Sequence, residues 1–180
     1  MLQMLQNLDW KILEGIRNGL GCGLLDAVMP VITRLGDAGF IWIVAAVMLI
    51  AIRKYRRYGV MLLCAMACGL LIGNVALKHL VARARPCWIQ SDVPLLIALP
   101  KDYSFPSGHT LSSVIAAACL ARIDRRFGWI AIPLAALIAL SRLYLFVHFP
   151  SDVIASIALG LAIAAAVNRM FLCIGKKSTT

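Results

Sequence analysis

The chain has 180 residues, 62% of them hydrophobic and only 14% charged, with a mean hydropathy of +0.88. A water-soluble domain of this length has too little interior to bury so much apolar surface, whereas membrane helices expose it to lipid without penalty. The formal net charge of +10 does not indicate nucleic acid, because the basic residues sit in short groups beside apolar runs with no interleaved aromatic patch.

Near the N-terminus, Leu5, Leu8, Ile12, Leu13, Ile16 and Leu20 recur at spacings of three and four. That periodicity predicts an amphipathic helix, lying on the membrane surface or packed on the bundle. Gln3, Gln6, Asn7 and Asp9 interrupt the apolar stretch, and no basic region precedes it, so a cleavable signal is not expected. Six spans follow, at residues 24–32, 39–52, 58–77, 106–121, 129–147 and 153–167. The third, about twenty residues long, is enough to cross the hydrocarbon core. The first is the weakest, interrupted by Asp26 and Pro30. The predicted fold is therefore all-α, an integral membrane six-helix bundle with an N-terminal amphipathic interfacial helix, built as a single domain over residues 1–180. Trp10, Trp42, Trp88 and Trp129 fall near span ends, where indole rings favour the interface.

Loop charges give the orientation. Arg53, Lys54, Arg56 and Arg57 form one basic group, and Arg122, Arg125 and Arg126 another, as in cytoplasmic loops. Lys176 and Lys177 add a third. An even number of spans then places both termini inside, and residues 79–104 and the junction around His148 outside. Arg83, Arg85 and Lys101 run against this bias, which a functional need for outward cations explains. Of the six cysteines, Cys64, Cys68, Cys119 and Cys173 read as small hydrophobes in apolar runs, while Cys22 and Cys87 lie nearer the surface. Their spacing suggests neither a disulfide framework nor a metal site.

Three polar strings stand out from the hydrocarbon: residues 78–86 (KHLVARARP), 106–109 (PSGH) and 141–152 (SRLYLFVHFPSD). They supply Lys78, Arg85 and Arg142 as cations, Ser107 as a hydroxyl, and His109 and His148 as proton-active groups. Ionisable residues beside spans are costly and rare, and here they converge on one membrane level. Pro106 predicts a helix start, with the N–H groups of Ser107, Gly108 and His109 free to meet an anion and Gly108 permitting close approach. Pro150 likewise starts the last span, placing Asp152 in its first turn. That carboxylate can take the Nδ1 proton of His148 and leave Nε2 free to attack. Arg142 precedes His148 by six positions, so the two meet only if the chain bends between them.

The patterns K-x6-R-P, PSGH and S-R-x5-H-x3-D resemble the three signature motifs of the type 2 phosphatidic acid phosphatase family. That family also includes bacterial undecaprenyl-diphosphate and phosphatidylglycerophosphate phosphatases and the soluble vanadium haloperoxidases. The resemblance implies His148 as the nucleophile forming a phosphohistidine, Asp152 as its orienting partner and His109 as the general acid. It implies Lys78, Arg85, Ser107, Gly108 and Arg142 as the phosphate-binding set, with no cofactor and no metal; Asp92 and Asp102 read as isolated carboxylates. The implied partners are a lipid phosphate or diphosphate substrate and membrane lipids. The short chain with an outward site resembles undecaprenyl-diphosphate phosphatases of the bacterial cytoplasmic membrane. Phosphatidylglycerophosphate or broad lipid-phosphate hydrolysis is the alternative, and phospholipid binding or transport the non-enzymatic one. The apolar stretch 93–99 (VPLLIAL) either packs on the bundle or helps receive a lipid tail.

Overall fold

A computed structural model describes residues 2–177, with side chains from residue 3 to 173. The side chains of Lys176 and Lys177, read above as a topology signal, lie outside those described. Helices are the only regular secondary structure among the described residues, with no strand. Helix α1 spans Leu2–Leu20, α2 Gly23–Leu35 and α3 Phe40–Ala51. A continuous rod follows, made of α4 (Arg56–Gly69), a π-helical stretch (Leu70–Leu77) and α5 (Lys78–Val81). The short α6 covers Pro86–Ile89, then α7 Gly108–Ile123, α8 Arg125–Tyr144 and α9 Pro150–Lys177.

Helix α7 is the hub. It packs against α3, α4, α8 and α9, and its buried residues, from Thr110 to Leu120, cover all sides of the helix. A helix buried all round belongs in a core, which is why only 16 residues suffice and why Thr110 and Ser113 are tolerated there. Ile115, Ala116 and Cys119 form the main cluster with Leu62, Ala65, Ile138 and Ala164.

Among the described residues three segments are long and apolar enough to cross a membrane, 56–89, 125–144 and 150–173, where the sequence suggested six. Helices α2 and α3 have 13 and 12 residues, about 20 Å each at 1.5 Å per residue, short of the roughly 30 Å hydrocarbon core. They form a pair bent by 45° and count as a fourth span only if taken together. The bend runs through residues 36–39, where Ala38 and Gly39 take positive φ of 51° and 71°.

The N-terminal helix packs on the bundle with one face and leaves other apolar residues exposed. Leu13 is fully buried, and Trp10 meets the Phe149 ring edge-on at 5.0 Å, while Met4, Leu5, Leu8 and Ile12 stay exposed. The tryptophans divide. Trp129 is exposed, but Trp42 is buried and donates from Nε1 to Ser113 Oγ at 2.9 Å, so it serves the core and not the interface. Cys87, read as near the surface, is buried beside Phe146 and Val93.

Helices α3 and α4 approach closely at Gly59, where an added Cβ would stand 2.6 Å from the Ala46 carbonyl oxygen and 2.9 Å from the Ile50 nitrogen. Backbone cannot yield as a side-chain tip can. Gly59→Ala is expected to cost about 1–3 kcal/mol by forcing the pair apart, read as a lower thermal midpoint in detergent.

Candidate active site

The three polar strings meet at one end of the bundle, around a cavity of about 880 Å³. Lys78, Arg85, Gly108, His109, Arg142 and His148 all line it. Lys78 arrives at the end of the π-helical stretch, and Arg85 caps α6 after the chain leaves α5 through Ala82 at φ 46°. Gly108 and His109 open α7. The bend required between Arg142 and His148 is real. Helix α8 stops at Tyr144, Phe146 takes φ 60°, and the Val147 N–H returns to the Arg142 carbonyl at 3.2 Å.

His148 is held from both sides. Its Nε2 lies 3.0 Å from Arg85 Nη1, a donor, so Nε2 acts as acceptor and the ring proton belongs on Nδ1. On that side Asp152 Oδ2 stands 3.8 Å away, beyond direct hydrogen-bond reach. Ser104 fills the gap. Its hydroxyl donates to Asp152 Oδ2 at 2.5 Å and sits 3.5 Å from Nδ1. Asp152 Oδ2 also accepts the Phe149 N–H at 2.9 Å, and Oδ1 accepts from Arg83 Nη1 at 2.6 Å.

Several partners were not visible in the sequence. Asp102, read as isolated, bridges the cradle: it accepts from Lys78 Nζ and, at 2.7 Å, from Arg85 Nη2, while its carbonyl takes Arg85 Nε at 2.6 Å. Burial pushes its carboxyl up, but the Lys78 hydrogen bond and the Arg85 charge outweigh that and hold it down at about 2. His109 Nε2 pairs with Asp37 Oδ1 at 2.8 Å, and Arg142 Nη1 donates to Thr33 Oγ1 at 2.5 Å. Both partners come from the α2–α3 corner. Among the described residues Arg142 Nε, by contrast, is buried without a partner, as is Asn74 Oδ1, whose amide takes the space that a Cβ at Gly108 would need. Asn74 shares the cavity wall, so both are open polar positions beside the cations.

Ser107 is the member not brought to the cavity. It is fully buried, its N–H donates to Ser156 Oγ at 2.9 Å, and its hydroxyl accepts from Thr110 at 3.0 Å. The expected free N–H at Ser107 is thus already used, and the first turn of α7 offers those of Gly108 and His109. Away from the cations the cavity wall turns apolar, through Ile43, Leu63, Met66, Leu70 and Ile115. Residues 97–100 border it, so the stretch 93–99 is split: Val93 packs into the bundle and Leu99 stays exposed at the rim.

A family model described as the PAP2 superfamily matches residues 54–174, more than half of the chain. The chain belongs to the PAP2 superfamily. It is 33% identical over 137 residues to the undecaprenyl-diphosphatase of Sulfolobus acidocaldarius, covering 76% of this chain and 66% of that protein. Identity to the decaprenylphosphoryl-5-phosphoribose phosphatase of Mycobacterium tuberculosis is 36% over 103 residues, covering 53% and 52%. The chain therefore spans between about half and two thirds of the length of these curated relatives. Among solved structures, the transmembrane PAP2 type phosphatidylglycerolphosphate phosphatase of Bacillus subtilis superposes with a TM-score of 0.76 at 27% identity, covering 93% of this chain and 86% of that one. With this likeness and its apolar helices, the PAP2 chain is an integral membrane protein.

In this PAP2 site His148, in the junction between α8 and α9, is fully enclosed. Burial first, then the charges of Arg85 and Arg142, push its imidazole down to about 3 against the upward pull of Asp152. The unfolded ring, near 6.5, takes up a proton that the folded ring refuses. Stability present above pH 6.5 is therefore lost as pH falls from 6.5 towards 3. Thermal midpoints in detergent are expected to fall across that window, and His148→Ala to shallow the fall.

Proposed function

We propose that the protein hydrolyses undecaprenyl diphosphate to undecaprenyl phosphate and inorganic phosphate. The reading rests on one arrangement: His148 Nε2, with its lone pair towards Arg85, stands at the cationic end of a cavity whose other walls are hydrocarbon. Binding alone needs cations and donors, whereas an oriented imidazole with a carboxylate behind it suits attack. The lipid diphosphate places its terminal phosphoryl group against Lys78, Arg85 and Arg142, and the oxygens take the positions Asp102 holds in the empty cradle. His148 Nε2 attacks phosphorus, the bond to the bridging oxygen breaks, and His109 gives that oxygen its proton. Water, losing a proton to His109, then cleaves the phosphohistidine and frees phosphate. Asp37 keeps the His109 ring oriented through both steps. Catalysis is by positioning and charge, and no step calls on a metal ion.

The site faces outward across the cytoplasmic membrane of a bacterium in this reading. The short helices α2, α3 and α7 complete a six-span arrangement in this reading, α7 being enclosed by longer neighbours. A second reading, hydrolysis of phosphatidylglycerophosphate, draws support from the Bacillus subtilis structure, which matches most of the chain. Both lipids present a terminal phosphomonoester-like group on an apolar anchor.

The purified chain is expected to release phosphate from undecaprenyl diphosphate in EDTA, with a higher kcat/KM than on phosphatidylglycerophosphate or phosphatidic acid. A reversed ranking favours the second reading, and no release from any of the three leaves a binding or transport protein. His148→Ala is expected to abolish turnover while the chain still folds, and His109→Ala to slow poor leaving groups most. Asp102→Asn removes a charge that competes with the substrate. Inorganic phosphate should then inhibit about tenfold more tightly, checked by competition in initial-rate assays.

A further inference from the structure

Behind His148, away from the cavity, lies a second ionic cluster that the phosphate chemistry does not use. Arg83 is two residues before Arg85, in the extended stretch after α5, and the two guanidinium groups grip opposite ends of the same dyad. Arg85 reaches His148 Nε2; Arg83 reaches Asp152 Oδ1 at 2.6 Å. Arg83 Nη1 also donates to Ser151 Oγ at 2.8 Å, and Nη2 donates to Asp9 Oδ2 and Gln6 Oε1, both at 2.7 Å. Its guanidinium carbon lies 4.1 Å from the centre of the Phe149 ring. Both terminal nitrogens are occupied, and Arg83 does not line the cavity, so it is not placed to hold the phosphate.

Asp9 anchors this group from the N-terminal helix. It is almost fully buried, accepts the Ser151 N–H at Oδ1 (2.9 Å) and the Ser151 hydroxyl at Oδ2 (2.5 Å), and pairs with Arg83. An amphipathic helix whose only task was to lie in the interface would not bury a carboxylate against the start of α9. Charge supplies the reason. Arg83 by itself neutralises Asp152, yet the imidazole needs a net negative neighbour, since it becomes positive when Nε2 bonds phosphorus. Asp9 restores that negative charge while the shared hydrogen bonds fix where Asp152 sits.

Resting on the function proposed above, we infer that α1 belongs to the catalytic apparatus, with Asp9 and Arg83 acting as positioning residues that set the geometry and charge of Asp152 behind the nucleophile. The test measures single-turnover phosphohistidine formation by the full chain in detergent, on undecaprenyl diphosphate. Wild-type protein without phosphoenzyme or phosphate release overturns the functional reading itself. With wild type active, Asp9→Asn and Arg83→Met are each expected to lower the maximal rate constant by about tenfold or more, the weight of a charge-assisted hydrogen bond. Half-saturation should change by less than about twofold, because phosphate contacts are untouched. Arg83→Lys should recover most of the loss, and the double variant should be no slower than Arg83→Met. The inference is overturned if Asp9→Asn keeps the wild-type rate constant. It is equally overturned if the burst amplitude falls while the rate constant per active site holds, which marks a purely structural role, or if Arg83→Met shifts only half-saturation. Should Arg83→Met not fold, Asp9→Asn and Arg83→Lys decide the matter by the same criteria.

Discussion

The structure depends on holding like charges together in an apolar bundle. Lys78, Arg85 and Arg142 crowd one cavity, and isolated cations in such surroundings are prohibitively costly. Two of them share one partner and the third has its own. Asp102 comes from the loop before α7 to serve Lys78 and Arg85, and Thr33 from α2 to serve Arg142. The flanking groups follow the same rule, with Asp37 on His109 and Asp9 with Asp152 on Arg83. Except for Asp152 on α9, these partners come from α1, α2, the α2–α3 corner and the loop before α7, none of which counts as a membrane-crossing segment by itself. Ion pairing gives them a fixed place that hydrophobicity would not.

Helix α7 ties that polar end to the core. Its first turn borders the cavity and its remaining length is enclosed by α3, α4, α8 and α9. The π-helical stretch beside it carries Asn74 to the same cavity and delivers Lys78, the first residue of α5, four positions on. Such stretches are uncommon and often mark functional positions. Here it lies against α7 at Gly73, where an added Cβ would stand 2.3 Å from Leu111 Cδ2.

What was legible in the sequence was whatever a short string could carry. Lys78, Arg85, His109, Arg142 and His148 announce themselves as charges among hydrocarbon, and all reach one cavity. Helix α9 and the rod from Arg56 were readable from length and apolarity. The long-range partners were not, because Asp9, Thr33, Asp37 and Asp102 look like ordinary polar residues until the chain folds. Ser107 illustrates the converse: a motif residue turns inward because Ser156, from a different helix, takes its N–H. The turn at Phe146 has no local signature either, since a positive φ at an aromatic residue is imposed by its surroundings. Trp42 followed the rule for span ends until its partner Ser113 drew it into the core.

The Asp102 carboxylate stands more than half exposed while gripping two buried cations. It is a tethered counterion, present at a local concentration that no dissolved anion matches. In the empty site part of the cationic charge on Lys78 and Arg85 is therefore already offset. Under the proposed reaction, product departure becomes an exchange of partners at Lys78 and Arg85, not an escape from bare cations.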